Sequence, residues 1–250
     1  MTNPPKRTSR KAPGHPPEAP REEAILVGAP AAPTPEVAAG VGQTRRSRSR
    51  EATRQKLISA TLRVVARKGL DGAAIADITE EADVGFGSFY NHFATKGEIT
   101  TVVFEARANE VAEVNDLIGM RVTDTATAIA YIQRFLLTKA VHDPIWGWFV
   151  VHAANGMPEM SRLFMMRGKR DIERGVEQGR FSVASVDTAM RIILSALLDT
   201  MRIVLECNAT GNVVSETIEC LLRMLGVPAA EARTLSRKKL PAFVMHHFKP

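Results

Sequence analysis

Apolar residues recur along most of the chain at intervals of three and four, the spacing of one face of an α-helix. The first such stripe contains Leu57, Ile58, Thr61, Leu62, Val64 and Val65. Gly69 follows this stripe and is expected to end the helix. No stretch has the alternating pattern of a β-strand, and no internal repeat stands out. The pattern therefore predicts an all-α fold.

Short and long helices are predicted to alternate after the first one. Two short helices cover residues 75–82 and about 86–93. Thr95 and Glu98 then have the spacing of a capping box and are expected to open a long helix. Further helices are predicted to begin near residues 124, 144, 158, 185 and 213. Asp124, Asp143 and Ser185 are expected to cap the helices that begin near 124, 144 and 185.

Composition separates the start of the chain from the rest. Residues 1–44 are mostly Pro, Ala, Gly and charged side chains, which bury too little apolar surface to offset the entropy of ordering. The net charge of the whole chain is +6, but residues 1–50 hold nine basic and four acidic side chains. The basic character therefore belongs mainly to this segment, and it is weak support for nucleic-acid binding by the folded part.

Composition also excludes several classes of protein. A hydrophobic content of 45% is too high for a wholly disordered chain. Two cysteines do not suffice for a secreted disulfide scaffold, and no run of 18 apolar residues is present to span a membrane. We therefore expect a cytoplasmic protein without membrane attachment. No nucleophile–base pair, Gly-rich phosphate loop or metal-ligand cluster stands out, so we expect no enzyme activity, cofactor or metal.

Residues 75–98 are the most informative stretch for function. Ala82 is small enough to let two short helices touch, and Asp83 tolerates the positive φ that the turn between them requires. Phe89 and Phe93 have the spacing to face inward and hold the second short helix in place. The other side chains of this helix are free to meet a DNA duplex. They are Phe86, Gly87, Ser88, Tyr90, Asn91 and His92.

At these residues the chain resembles the TetR family of bacterial transcription regulators. The matching text runs through residues 83–93 and continues at Lys96, and further matches precede it over 53–69 and 75–78. The resemblance implies an N-terminal three-helix DNA-binding head. It also implies a longer helical C-terminal domain that forms a homodimer and holds a ligand pocket.

The resemblance and the composition together predict four segments. They are a disordered basic Pro-rich tail over 1–50, a helix-turn-helix domain over 51–111, a helical ligand-binding and dimerisation domain over 112–228, and a C-terminal tail over 229–250. The chain departs from the family pattern at the start of the first short helix, where Ala73 and Ala74 replace a capping Thr. Loss of such a cap costs about 1 kcal/mol, and Asp77 is expected to compensate in part through the helix dipole.

By this resemblance, Tyr90 and Lys96 contact DNA phosphates, and Asn91 is the best polar candidate for a base edge or a phosphate. Tyr90 and His92 have an alternative role, which is packing between helices. The arginines at 45–50 form either a solvated linker or an arm that reaches phosphates or a minor groove. The candidate DNA-binding residues are Arg48, Arg50, Gly85, Phe86, Gly87, Ser88, Tyr90, Asn91, His92, Thr95 and Lys96.

Both tryptophans lie within a region rich in aromatic residues and methionine, over residues 146–166. Such a cluster forms either ordinary core or an adaptable pocket for a partly apolar effector. The candidates for the polar group that orients a ligand are His152, Arg167, Arg191 and Asp199. An interior side chain is the alternative for His152, and a salt bridge is the alternative for Arg191 and Asp199. The candidate ligand-binding residues are Trp146, Phe149, His152, Phe164, Met165 and Arg191.

The helices over 185–207 and 213–226 carry apolar stripes wider than one buried face needs. The excess predicts a second buried surface, and the resemblance implies that it pairs with the same helices of a second subunit. The candidate interface residues are Leu197, Met201, Val204, Ile218, Leu222 and Leu225. Such a homodimer would bind a near-palindromic operator in double-stranded DNA.

These observations favour a ligand-responsive, sequence-specific DNA-binding transcription regulator. A dimeric repressor that a small molecule releases from its operator is expected. Two alternatives remain at this point. One is a DNA-binding regulator switched by a partner protein, and the other is a helical small-molecule-binding protein without a DNA role.

Overall fold

The computed structural model describes residues 45–207 and 212–248, and all regular structure in those ranges is helical. The helices are α1 (Arg45–Gly72), α2 (Ile75–Glu81), α3 (Phe86–Tyr90), α4 (Lys96–Arg121), α5 (Thr125–His142), α6 (Pro144–Gly156), α7 (Pro158–Glu177), α8 (Val186–Cys207), α9 (Asn212–Met224), α10 (Ala229–Ser236) and α11 (Ala242–Met245). The all-α prediction is confirmed. None of the described helices is both long and apolar enough to cross a bilayer. The predicted disorder of residues 1–44 lies outside the described residues.

Helix α1 starts at Arg45, earlier than the sequence pattern indicated. The described end of the predicted 1–50 tail is therefore helical, and the expectation of a disordered arm there is wrong. Arginine is a good helix former, so its exposed run continues the helix at little cost. The side chain of Arg50 also donates to the backbone carbonyl of Asn91 at 3.1 Å, which ties the start of α1 to the head.

Gly69 breaks α1 at the position where the sequence predicts the helix to end, but helical structure continues to Gly72. The φ of +74° at Gly69 is in the left-handed region, which glycine adopts without the steric cost that a Cβ brings. The imidazole of His152 on α6 lies directly against this break, because a Cβ on Gly69 would sit 3.5 Å from His152 Nδ1. The backbone conformation therefore favours glycine here, whereas a Cβ would make only ordinary contact with the imidazole.

The predicted N-caps are present at four helices. The capping side chains of Thr95, Asp124, Asp143 and Ser185 accept backbone N–H groups at 3.1, 2.9, 3.0 and 3.3 Å. Helix α2 has no side-chain cap at Ala74. Instead, the carboxylate of Asp77 accepts from Ala74 N–H at 3.0 Å and from Lys68 Nζ at 2.7 Å. The hydrogen bond from Lys68 is the main reason that the pKa of Asp77 is lowered.

Two clusters of buried apolar side chains organise these helices. The first joins α1, α2, α3 and the first half of α4, and the second joins the rest of α4 to α5 and α7–α11. Along α4 the change from the first cluster to the second falls between Ala108 and Val111. Helix α6 belongs to both clusters, through Phe149 in the first and Trp146 in the second.

The segment over 229–250, expected to be a tail, is folded as far as residue 248, so that prediction is wrong. Val244 of α11 is fully buried. The ring of Phe248 packs edge-on against Phe135 of α5, with 5.3 Å between centroids. Helices α10 and α11 have eight and four residues. They are too short for apolar periodicity to reveal them.

Candidate functional site

The turn between α2 and α3 has the geometry that its sequence predicts. Asp83 adopts a φ of +52°, and Ala82 beside it is 5% exposed. The backbone N–H groups of Asp83 and Val84 donate to carbonyls of α2 at 3.1 Å each. These bonds hold α3 at a defined angle to α2 in a helix-turn-helix arrangement.

One side of α3 is anchored in the head and the other faces outward. Phe89 and Phe93 are 0% and 2% exposed, and the guanidinium of Arg54 lies 5.2 Å from the ring centroid of Phe93. On the outer side the rings of Phe86 and Tyr90 are each 53% exposed. Gly85, Gly87 and Asn91 are exposed as well, whereas Ser88 and His92 are half-buried. The anchored side leaves the outer one available for a partner.

The basic start of α1 lies beside the end of α3. An open groove joins the two elements and is lined by Arg45, Arg46, Ser47, Ser49, Arg50, Thr53, Asn91 and His92. Arg48 is exposed on the same helix, outside this groove. Burial lowers the pKa of His92, and the charges of Arg50 and Arg54 lower it further, which favours a neutral imidazole. The arginines therefore extend the outer face of α3 with positive charge.

Lys96 has a different position from the one expected of a phosphate contact. Its Nζ donates to the carbonyls of Leu70 and Ala73 at 2.8 Å each. The ammonium group therefore closes the end of α1, where the helix dipole favours a positive charge. Thr95 caps α4 directly before it. The geometry assigns both residues to the support of the head, so the expected phosphate contact of Lys96 is not supported.

Replacing Lys96 with methionine should lower the free energy of unfolding by about 2 kcal/mol, because two carbonyls lose a charged donor. Urea denaturation followed by circular dichroism measures this. Lys56→Met on the exposed side of α1 is the matched control and should leave the midpoint unchanged. Equal midpoints for both variants would contradict the supporting role of Lys96.

A second feature is a cavity of about 90 Å³ between α4, α5, α7 and α8. Its wall is mainly aliphatic. The apolar lining residues are Ala108, Val111, Ile129, Ile132, Leu136, Leu163, Phe164, Ile172, Met190, Ile193, Leu194 and Leu197. Four polar side chains complete the lining: Asn115, Gln133, Arg167 and Asp171. An apolar cavity with a few polar groups is the usual form of a small-molecule site.

Most residues predicted to bind a ligand lie away from this cavity. Phe164 is on its wall. Trp146 and Phe149, at 1% and 0% exposed, belong to the two apolar cores, and Met165 packs against the second core. The alternative of ordinary core is therefore the correct one for these three residues.

Of the polar candidates for ligand binding, Arg167 lines the cavity, whereas His152 and Arg191 lie elsewhere. His152 stacks on Trp148, with 5.6 Å between ring centroids, and lies against Gly69. Arg191 is exposed and donates to the hydroxyl of Thr188 at 3.0 Å. Neither side chain lines the cavity, and both predictions are wrong for this cavity.

The residues proposed for the dimer interface are buried within a single protomer. Leu197 lines the cavity, and the others pack in the second core. Those others are Met201, Val204, Ile218, Leu222 and Leu225, each at most 3% exposed. A side chain already buried by its own chain has no surface to offer a partner, so these assignments are corrected. The exposed side of α8 instead carries Ile192, Asp199 and Arg202.

Sequence reasoning named Arg167 and missed the other three polar side chains of the cavity lining. Gln133 had the clearest signal, because it is a single amide among the apolar positions Ile129, Ile132 and Leu136 of α5. Asn115 and Asp171 had none, since each stands among other polar residues of its helix. Only the crossing of α4 and α7 brings them to one cavity.

Comparison with known proteins identifies both halves of the chain. Residues 57–101 match the family described as bacterial regulatory proteins of the tetR family, and residues 124–238 match a tetracyclin repressor-like C-terminal domain. The chain is 35% identical over 51 residues to the uncharacterized HTH-type transcriptional regulator YvdT of Bacillus subtilis (strain 168). The matched segment makes up 20% of this chain and 26% of that protein. The chain is also 44% identical over 48 residues to the HTH-type transcriptional repressor DhaR of Mycobacterium sp. (strain GP1). That segment makes up 19% of this chain and 24% of DhaR. These matches therefore span about a quarter of each curated relative.

A solved structure extends the similarity over nearly a whole relative. The crystal structure of RolR in complex with resorcinol has a TM-score of 0.61 to this chain at 32% sequence identity. The similarity covers 78% of this chain and 98% of RolR. Head, turn and helical C-terminal domain are thus matched together, and the chain belongs to the TetR family of bacterial transcription regulators.

Proposed function

We propose that this protein is a dimeric transcription repressor that reads an operator with α3 and releases it when a small molecule occupies the cavity. The observation that carries the DNA-binding role is the two-sided character of α3. Phe89 and Phe93 are buried, while Phe86, Gly87 and Tyr90 stand exposed on the opposite side. A rigidly anchored helix with an exposed face is what readout of a major groove requires.

In this proposal the exposed residues of α3 and its two ends make different kinds of contact with DNA. Phe86 contacts thymine methyl groups, since its ring is apolar and exposed. Tyr90 and Asn91 supply hydrogen bonds to phosphates or base edges. Arg48 and Arg50 at the start of α1 add phosphate contacts, which position the protein without selecting a sequence. Gly85, Ser88 and His92 then shape the contact surface.

Helix α4 is the proposed connection between the cavity and the head. Its first turn carries Lys96, which bonds the end of α1. Further along the same helix, Ala108, Val111 and Asn115 line the cavity. A ligand that shifts α4 therefore also shifts the head, and operator affinity falls if the ligand prefers the shifted state.

The proposed dimer uses the outer faces of α8 and α9. Ile192 is 47% exposed on α8, and Cys220 is exposed on α9. Arg202 forms ion pairs with Asp199 at 2.8 Å and Glu206 at 2.9 Å along the same exposed side of α8. This mixture of apolar and paired charged groups suits a symmetric interface between two copies.

The similarity to RolR supports a small cyclic effector in the cavity. RolR was solved with resorcinol, and the chain matches it over 98% of its length. A partner protein as the switch is the alternative. It predicts that no small molecule changes operator affinity.

Genome-wide mapping of bound sites tests the regulator proposal directly. We expect enrichment of a near-palindromic sequence, and binding of the purified protein to it with a Kd of about 10⁻⁸ M or below at physiological salt. Fluorescence anisotropy on that sequence and on a scrambled version of equal composition gives the specificity. Equal affinity for both sequences would refute the proposal.

A further inference from the structure

Gln133 is an unusual component of the cavity wall. The side chain is 2% exposed, and neither its amide oxygen Oε1 nor its amide nitrogen Nε2 has a hydrogen-bond partner among the described residues. Buried polar groups in folded proteins are nearly always hydrogen-bonded, because desolvation without a partner is costly. Since Gln133 lines the cavity, an occupant that both donates and accepts hydrogen bonds would satisfy it.

A second polar position lies at the mouth of the same cavity. Asn115, Arg167 and Asp171 line both the cavity and an open groove on the protein surface. Asn115 Oδ1 is buried and has no hydrogen-bond partner in the part of the chain that the structure describes. Gln133 lines the cavity but not the groove, so it lies on the inner side of these three residues.

The charges at the mouth differ from those inside. Burial raises the pKa of Asp171, partly against the nearby charges of Arg174 and Arg170, so this carboxyl group holds a proton more readily than a solvated one. Arg167 is the cationic side chain among the cavity-lining residues, and it belongs to the mouth. An anionic group placed next to Gln133 would lose its hydration without gaining a positive partner.

The size of the cavity limits the occupant to about one ring. An engineered apolar protein cavity of about 150 Å³ accepts benzene, whereas this one measures about 90 Å³. Its aliphatic wall includes Val111, Ile129 and Leu197, and small movements of such side chains would admit a ring. A long acyl chain would need a much larger space.

We propose that the cavity binds a neutral single-ring compound with two hydroxyl groups, an inner one bonded to Gln133 and an outer one bonded to Asn115, beside Asp171. This inference rests on the proposed effector role of the cavity. A hydroxyl both donates and accepts, so one such group engages both ends of the Gln133 amide. The outer hydroxyl donates to Asn115 Oδ1, and the aliphatic wall covers the ring.

Isothermal titration calorimetry on the full chain, without DNA, tests the ligand class. Resorcinol is the probe, and m-xylene is its control, because it has methyl groups where resorcinol has hydroxyls. We expect resorcinol to bind about a hundredfold more tightly than m-xylene, since the buried side-chain amides have no hydrogen-bond partner when the hydrocarbon is bound. Isophthalate, which has carboxylates where resorcinol has hydroxyls, should bind more weakly than resorcinol, because one carboxylate must then lie next to Gln133 without a cation. Absence of resorcinol binding, equal affinity for m-xylene or tighter binding of the anion would each overturn the proposal.

Gln133→Leu separates recognition from folding, because leucine has a similar size and no polar atoms. We expect affinity for resorcinol to fall about tenfold and affinity for m-xylene to rise, a change of opposite sign that unfolding cannot produce. Gln55→Leu makes the same chemical change on the exposed side of α1 and should alter neither affinity. Unchanged resorcinol affinity in Gln133→Leu, or an equal loss of both ligands, would overturn the assignment of Gln133.

Operator binding separates this inference from the proposed function. If resorcinol binds the free protein as expected but leaves operator affinity unchanged, the ligand class stands and the effector role fails. If a different compound class releases the operator and resorcinol does not bind, the ligand class is overturned while the regulator proposal stands.

Discussion

Gly87→Glu should abolish operator binding while the protein stays folded. Gly87 lies in the middle of α3 and is exposed, and a Cβ at this position would meet no atom within 4 Å. The head therefore accepts a larger side chain without strain. A glutamate there would place a negative charge against the DNA backbone, and like-charge contacts at an interface cost enough to weaken binding by about a hundredfold or more. Fluorescence anisotropy on the mapped operator measures the loss.

Gly87→Ala is the matched control for this prediction. Alanine has a higher helix propensity than glycine by about 1 kcal/mol, so this variant should be at least as stable as the natural protein. Its operator affinity should change little, because a methyl group adds no charge and little bulk. Thermal melting by circular dichroism checks the fold of both variants. Operator affinity of Gly87→Glu within about twofold of the natural protein would remove α3 from the DNA interface.

Trp146→Ala should destabilise the protein by about 3–5 kcal/mol, because it removes the largest fully buried side chain of the second core. The indole is 1% exposed, and Lys139 Nζ lies 5.3 Å from its ring centroid. A typical domain has a free energy of unfolding of about 5–15 kcal/mol, so the variant would be close to unfolding. Urea denaturation followed by circular dichroism gives the difference.

Trp146→Phe distinguishes a core role from a ligand contact. Phenylalanine retains much of the buried apolar surface, so this variant should lose less stability than the alanine variant. Its affinity for resorcinol should match that of the natural protein, because Trp146 does not line the cavity. Natural stability of Trp146→Ala together with weakened resorcinol binding would return Trp146 to the ligand site.

The head could be predicted from the sequence because its determinants are local. Asp83 was expected to adopt positive φ, and it does so at +52°. Phe89 in α3 and Phe93 shortly after its end are four residues apart, and both are buried as predicted. Thr95 caps α4 through the N–H of Glu98, three residues away. Each of these interactions lies within a few residues of chain, so spacing alone identifies it.

The cavity and its neighbours could not be predicted in the same way. Periodicity shows that a residue is buried, but not which helix covers it. Trp146 and Phe164 looked alike in sequence, yet one fills a core and the other lines the cavity. Leu197 and Ile218 formed apolar stripes that suited a dimer interface, and both are covered within one chain. The difference depends on how distant helices cross.

The sequence by itself determined the helical class, the helix-turn-helix and the family, since helix periods, caps and the turn act over a few residues. Tertiary structure alone decided that Lys96 closes α1, because Leu70 and Ala73 are far from it in sequence. It also decided that Asn115 and Gln133 face one cavity, because these residues come from helices whose packing angle no local pattern specifies. Local chemistry thus set which helices form, and long-range packing set which side chains a ligand meets.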